Sequence, residues 1–114
     1  MQEQYDYIII GSGSAGCMIA HRLIERTQGR VALIEAGVKI RVRQYCTTTY
    51  HPAGTCRMGP DVERSVVDLD LRVHGIECLR VIDCSVFPRL PRGNTNAPTI
   101  AVAEKAADLL IAAH

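Results

Sequence analysis

The sequence predicts a small α/β domain, a short parallel sheet flanked by helices, and three observations carry that reading. An apolar run, Tyr7 to Ile10, enters the glycine-rich stretch Gly11-Ser12-Gly13-Ser14-Ala15-Gly16 and is followed by residues at helical spacing. A second apolar run, Val31 to Ile34, ends on Glu35, and a third, Leu79 to Ile82, ends on Asp83. The alanine-rich stretch from Pro98 to Ala113 then reads as a closing helix. These periods place strands at about residues 5 to 10, 31 to 35 and 79 to 83, in one parallel sheet.

The first element is a strand, loop, helix, strand and acid in series. Gly11 suits the tight turn, Gly13 lets backbone N–H groups approach a pyrophosphate, and Gly16 permits close packing of helix on strand. Glu35 lies nineteen residues beyond Gly16, where a carboxylate can accept from a ribose 2′-hydroxyl. A dinucleotide-binding βαβ unit is the expectation for residues 1–37. In the helix, Ile19, Ala20, Leu23 and Ile24 share the inner face and His21, Arg22, Glu25 and Arg26 the outer. Its N-terminus is aimed at the phosphates, where the helix end favours an anion. Gly29 is the expected stop.

Beyond Ala36 and Gly37, residues 38–45 read as a short strand or a connector. Residues 50–59 are loop by composition, and 66–73 and 79–82 read as two short strands around a turn at Gly75. Pro88 and Pro91 bar regular structure nearby. Residues 93–96 form a turn and cap. Asn96 is the expected N-cap of the last helix, with Pro98 in its first turn and Glu104, Lys105 and Asp108 on the wet side.

Composition narrows the classes. The 114 residues make one domain with a modest core. A net charge of +1 gives no reason to expect nucleic acid, and Lys39, Arg41 and Arg43 alternate with Val38, Ile40 and Val42 as on a half-solvated strand. The five cysteines, Cys17, Cys46, Cys56, Cys78 and Cys84, form no CxxC pair and are odd in number. That pattern argues against disulfides and a zinc site and points to a reducing, cytoplasmic setting. Cys17, Met18 and Cys84 read as core fillers, and His21 and His74 as surface residues. Neither a signal peptide nor a transmembrane span is expected.

The second half carries long, specific signatures. Residues 50–59 (Tyr50-His51-Pro52-Ala53-Gly54-Thr55-Cys56-Arg57-Met58-Gly59), 66–68, 71–75, 79–88 (from Leu79 through Asp83-Cys84-Ser85 to Pro88) and 93–98 (Gly93-Asn94-Thr95-Asn96-Ala97-Pro98) resemble the C-terminal part of the glucose-methanol-choline (GMC) oxidoreductases. The wording is closest to the choline dehydrogenase and bacterial alcohol dehydrogenase branch. Residues 5–37 resemble the same family's FAD-binding start. The departure is that family members carry several hundred residues between these two pieces, including the substrate domain. The chain thus reads as a member whose middle is deleted, one truncated FAD-binding domain of residues 1–37 and 45–114.

The resemblance implies a minimal Rossmann-like fold that binds FAD and acts on CH–OH donors, alcohol to aldehyde with hydride passing to the flavin. It implies His51 as the base and Asn94 beside it on the same substrate oxygen. It implies cofactor contacts from Gly11, Ser12, Gly13, Ser14, Ala15, Gly16, Glu35, Ala36, Asp83, Cys84, Asn94, Asn96 and Pro98, with Asp83 on the ribityl chain and the last helix beside the flavin's pyrimidine edge. It places the 79–83 strand beside the first, in the order second, first, last, leaving sheet edges open to self-association. Two alternatives stand beside it. One is an NAD-binding module, since GxGxxG and Glu35 serve both cofactors; the other is a non-catalytic dinucleotide-binding remnant.

Overall fold

A computed structural model describes residues 4–35 and 52–113. β1 (Tyr7–Ile10) is rich in β-branched isoleucine, and it pairs in parallel with β2 (Val31–Ile34), Tyr7 opposite Val31 and Ile10 opposite Ile34. Backbone bonds clamp both ends of this pair. Gly11 N–H donates to Ile34 O at 2.7 Å at one end; at the other, Asp6 N–H donates to Arg30 O at 3.0 Å and Arg30 N–H to Asp6 Oδ2 at 2.8 Å.

Between the strands runs α1 (Ser14–Arg26), whose buried residues Ala15, Ile19 and Leu23 recur every fourth position. That ridge meets Tyr7, Ile9 and Val31 on one face of the sheet. After a short 3-10 turn at Cys84–Val86 comes α2 (Asn96–Ala112). Its buried residues, Thr99, Ala103, Ala106 and Ala107, are all small, so α1 and α2 approach closely. Ala103 joins the cluster of Ala15, Ile19 and Leu23, while Ala106 joins a second cluster of Val67, Leu71, Val86 and Phe87. α2 is therefore the spine between two small cores, and Ile82 packs against both. No helix among the described residues is long and apolar enough to cross a membrane.

The expected α/β class holds, with two parallel strands and two helices, but the sheet is smaller than the sequence predicts. Residues 79–83 are not a third strand beside β1. Val73 N–H donates to Leu79 O and Val81 N–H to Leu71 O, at 2.9 and 3.1 Å, leaving only an antiparallel bridge between Arg72 and Arg80. Pairing with a neighbour a few residues away closes a far shorter loop than pairing with β1, at a lower entropic cost. Residues 66–73 likewise make isolated bridges, Met58 with Val67 and Val67 with Val73, rather than a strand.

Other expectations shift by a turn or a face. α1 ends at Arg26 with Thr27 as its C-cap, before Gly29, and the Thr27 hydroxyl donates to Leu23 O at 2.7 Å. Ile24, expected inside, is 67% exposed. Arg22, expected outside, lies against α2, where Nε sits 2.8 Å from Glu104 Oε2 without a well-aligned hydrogen bond. Glu104 is thus drawn from the wet side into the helix interface. Both helices serve the Tyr7 and Ile9 face; on the other face Ile8, Ile10 and Ile34 are 63%, 85% and 53% exposed.

Candidate functional site

A cleft of about 940 Å³ opens along β1 and gathers much of what the sequence singles out. From the glycine loop come Gly11, Gly13, Ser14, Ala15 and Gly16; from the second half come Asp83, Cys84, Asn94 and Asn96. Residues some seventy to eighty positions apart in the sequence therefore share one wall. His51 and Ala36 lie outside the described residues. Pro98 sits in the first turn of α2 but does not line the cleft, and Ser12 and Glu35 lie beside it.

The loop's shape follows from its glycines. Gly11 has φ +98°, a left-handed conformation that strains any side chain, and a Cβ on Gly16 would stand 1.9 Å from Gly11 O. Gly13 is the N-cap of α1 in extended conformation, and a Cβ there would meet nothing within 4 Å, so its backbone faces open space. Glu35 closes the loop from behind: its Oε2 accepts from Ser12 N–H at 2.7 Å and from Ser12 Oγ at 3.0 Å.

Two helix N-termini meet here. The Ser14 hydroxyl, at the start of α1, donates to Asn96 Oδ1, at the start of α2, at 2.6 Å. Neither N-cap residue, Gly13 or Thr95, makes a side-chain capping bond to its helix. Asn96 is thus not the N-cap expected of it; it is the first helical residue, with its side chain spent on α1. Its own N–H is met by Asn94 Oδ1 at 2.8 Å. That bond identifies the oxygen end of the Asn94 amide and leaves Nδ2 as a donor. The aligned peptide dipoles of both helices bring partial positive charge to the same end of the cleft.

Asp83 caps the 3-10 turn, its Oδ1 accepting from Ser85 N–H at 2.7 Å, with Oδ2 left as a second acceptor. The Cys84 thiol donates to Pro52 O at 3.0 Å and Gly54 N–H donates to Cys84 O at 3.2 Å, so residues 52–54 are fastened to the cleft wall. Cys17 is exposed rather than a core filler, its thiol donating to Ser12 O. His74, expected at the surface, is half-buried with Nε2 at 3.2 Å from Gly59 O and 3.1 Å from Ser65 Oγ, a staple within its loop. At the far end of the cleft, burial and then the Asp6 carboxylate push the Tyr7 phenol above its ordinary 10.0, so it stays neutral.

Sequence reasoning missed that Leu79, Arg80 and Ile82 would line the cleft, having assigned them to the sheet. It also missed the Ser14–Asn96 link. No pattern in the sequence announces that link, because both residues are ordinary at a helix start. The donors and the positive helix ends fit the phosphates of a dinucleotide, and the open backbone at Gly13 leaves them room.

Fold and cleft together define a glycine-loop βαβ unit joined to a second helix that starts at the same site. This chain belongs to the GMC oxidoreductase family, whose sequence profile matches residues 19–103. It is 49% identical over 87 residues to an uncharacterized GMC-type oxidoreductase of Mycobacterium bovis, covering 76% of this chain and 16% of that protein. An oxygen-dependent choline dehydrogenase of Chromohalobacter salexigens is 57% identical over 67 residues, covering 59% of this chain and 12% of the relative. Among solved structures, a formate oxidase of Aspergillus oryzae RIB40, studied for modification of its FAD, superposes with a TM-score of 0.57 at 45% identity. That match covers 60% of this chain and 12% of the oxidase. The chain therefore spans less than a fifth of the length of the proteins it matches.

Proposed function

We propose that this chain is a truncated FAD-binding domain of the choline dehydrogenase-like GMC type, with residues 1–37 and 45–114 folding as one Rossmann-like unit. Its family chemistry is the oxidation of CH–OH donors. The observation that carries the reading is the meeting of two helix N-termini at one cleft, joined by Ser14 and Asn96. Such a site favours negative charge twice over: the pyrophosphate on α1, and reduced flavin beside α2, Asn96 and Pro98.

In this reading the Gly11 to Gly16 backbone holds the pyrophosphate and Glu35 turns from Ser12 to accept from the adenosine ribose, with Ala36 beside it. Asp83 Oδ2 accepts from the ribityl chain, and Cys84 lies next to it against Pro52. Bound FAD supplies the hydride acceptor. The chain's own part in catalysis is proton transfer and orientation. Asn94 Nδ2 donates to the substrate oxygen, and His51 takes the hydroxyl proton, a task suited to a base of near-neutral pKa.

Two measurements test this. Titration with FAD should give saturable binding that Glu35→Ala weakens by about ten- to a hundredfold, since a hydrogen bond to a charged group is worth about 1.5–3 kcal/mol. An unchanged Kd counts against the ribose assignment, and absence of a flavin spectrum after loading counts against the cofactor. Anaerobic bleaching of bound FAD by choline or simple primary alcohols should be slow and lost in His51→Ala. Positioning of reactants contributes roughly 7–11 kcal/mol at best, and a chain of this length has few walls to supply it. Rapid reduction at the rate of a full-length enzyme would overturn the expectation of weak turnover.

A further inference from the structure

α1 and α2 run in parallel, and three polar pairs join them at a single offset. Ser14 Oγ donates to Asn96 Oδ1 at 2.6 Å, Arg22 Nε stands 2.8 Å from Glu104 Oε2, and Arg26 Nη1 donates to Asp108 Oδ1 at 3.2 Å. The partners in every pair are 82 positions apart. Ser14, Arg22 and Arg26 lie on one i+4 row of α1, and Asn96, Glu104 and Asp108 on the matching row of α2. Asp108 Oδ1 also lies 3.9 Å from Arg22 Nη2, so it bridges the two arginines.

Apolar packing fixes that offset only loosely. From Thr99 to Ala107 the buried face of α2 is Thr99, Ala103, Ala106 and Ala107, small side chains that let α1 come close but offer no large knob to catch a groove. Larger apolar contacts, Leu110 and Ile111, come only in the last turns. The charges discriminate where the alanines do not. With α2 slipped one turn so that Arg22 faces Asp108, Arg26 faces Ala112 and Ser14 faces Ile100. Slipped the other way, Arg26 faces Glu104, but Arg22 faces Ile100 and Ser14 faces Arg92, which lies before the helix. Only the observed register gives each arginine a carboxylate and Ser14 its amide. Arg22 enforces it most, since its side chain is 19% exposed and its Nε is buried, so water does not replace a partner lost by slippage. Glu25, on α1 itself, follows Arg22 in any register.

We infer that Arg22, Arg26, Glu104 and Asp108 are positioning residues, whose pairs set the axial register of α1 against α2 and so hold the two helix N-termini level at the cleft. One residue of slip moves a helix about 1.5 Å along its axis and one turn about 5.4 Å, more than the Ser14–Asn96 bond can span. The register is a property of the helix pair; its use by a ligand rests on the flavin reading above, in which α1 takes the pyrophosphate and α2 the flavin. FAD then engages both helices. ADP, which has no flavin, engages α1 alone.

A ligand-free cycle tests the register. Glu104→Gln combined with Asp108→Asn removes both carboxylate charges at constant size, and Ser14→Ala removes a bond about 12 Å along the axis from Arg22, a separation at which independent changes multiply. Ser14→Ala should alter the unfolding equilibrium constant of the unmodified chain and of the double variant by factors that differ about threefold or more, because in the double variant the bond is already lost. Should the double variant not fold, Glu104→Gln alone takes its place. Equal factors in the two backgrounds overturn the inference. With ligands, the same variant should bind FAD about fivefold or more weakly than the unmodified chain does, and ADP within about twofold. Parallel loss of both ligands, or loss of neither, also overturns it, since the pairs then act on folding as a whole or not at all. Absence of FAD binding by the unmodified chain would instead fell the flavin reading, and the cycle would still decide the register.

Discussion

Gly16→Ala is expected to destabilise the chain and to weaken the FAD binding proposed above, although alanine is the better helix former by about 1 kcal/mol. Helix propensity loses here because the new Cβ would stand 1.9 Å from Gly11 O and 3.0 Å from Gly11 C, both backbone atoms of the loop itself. A flexible side chain could swing aside. A carbonyl held in the turn that feeds α1 cannot move without opening the turn, and overpacking of this kind costs about 1–3 kcal/mol. The displaced residue, Gly11, is also the one whose N–H closes the sheet onto Ile34 O. Denaturant melts and FAD titration of the same variant should therefore fail together. A variant more stable than the parent, with unchanged affinity, would mean that the loop and α1 are not packed as described.

Leu23→Ala should have the largest effect on stability alone. Leu23 is fully buried at the centre of the cluster where α1 meets the sheet and α2, beside Ile19 and Ala103. Removing a side chain from such a site costs about 2.7–5 kcal/mol, from a domain whose total stability is of the order of 5–15 kcal/mol. Thermal melting should fall by roughly 10 °C or more. The adjacent Ile24→Ala is the control. Ile24 is 67% exposed, so its truncation should leave the melt within about 0.5 kcal/mol of the parent. Equal effects at the two positions would show that α1 is rotated from the face described.

The two variants mark how far the sequence could be read. Gly11, Gly13, Gly16 and Glu35 are legible because each obeys a local rule: a positive φ, an open backbone, a close helix contact, an acid at a strand end. The inner ridge of α1 was legible for the same reason, except at Ile24. Ile24 belongs to the apolar stripe by spacing, but no element among the described residues covers it. Arg22 shows the reverse case, since its place between the helices follows from where α2 carries Glu104.

By itself the sequence determined the βαβ unit, the extent of α2 within two residues, and the family to which the chain belongs. These rest on contacts within a few turns of chain or on motifs that need no partner. Only the tertiary structure decided the fate of residues 79–83, because their apolar run is equally suited to β1 and to residues 71–73. The nearer partner prevails by the smaller cost of loop closure. Tertiary structure likewise decided that Asn96 spends its side chain on Ser14 instead of on its own helix, bringing two helix N-termini to one cleft. A residue's hydrogen-bonding capacity is written in its type, but its partner is chosen by what packing brings within reach.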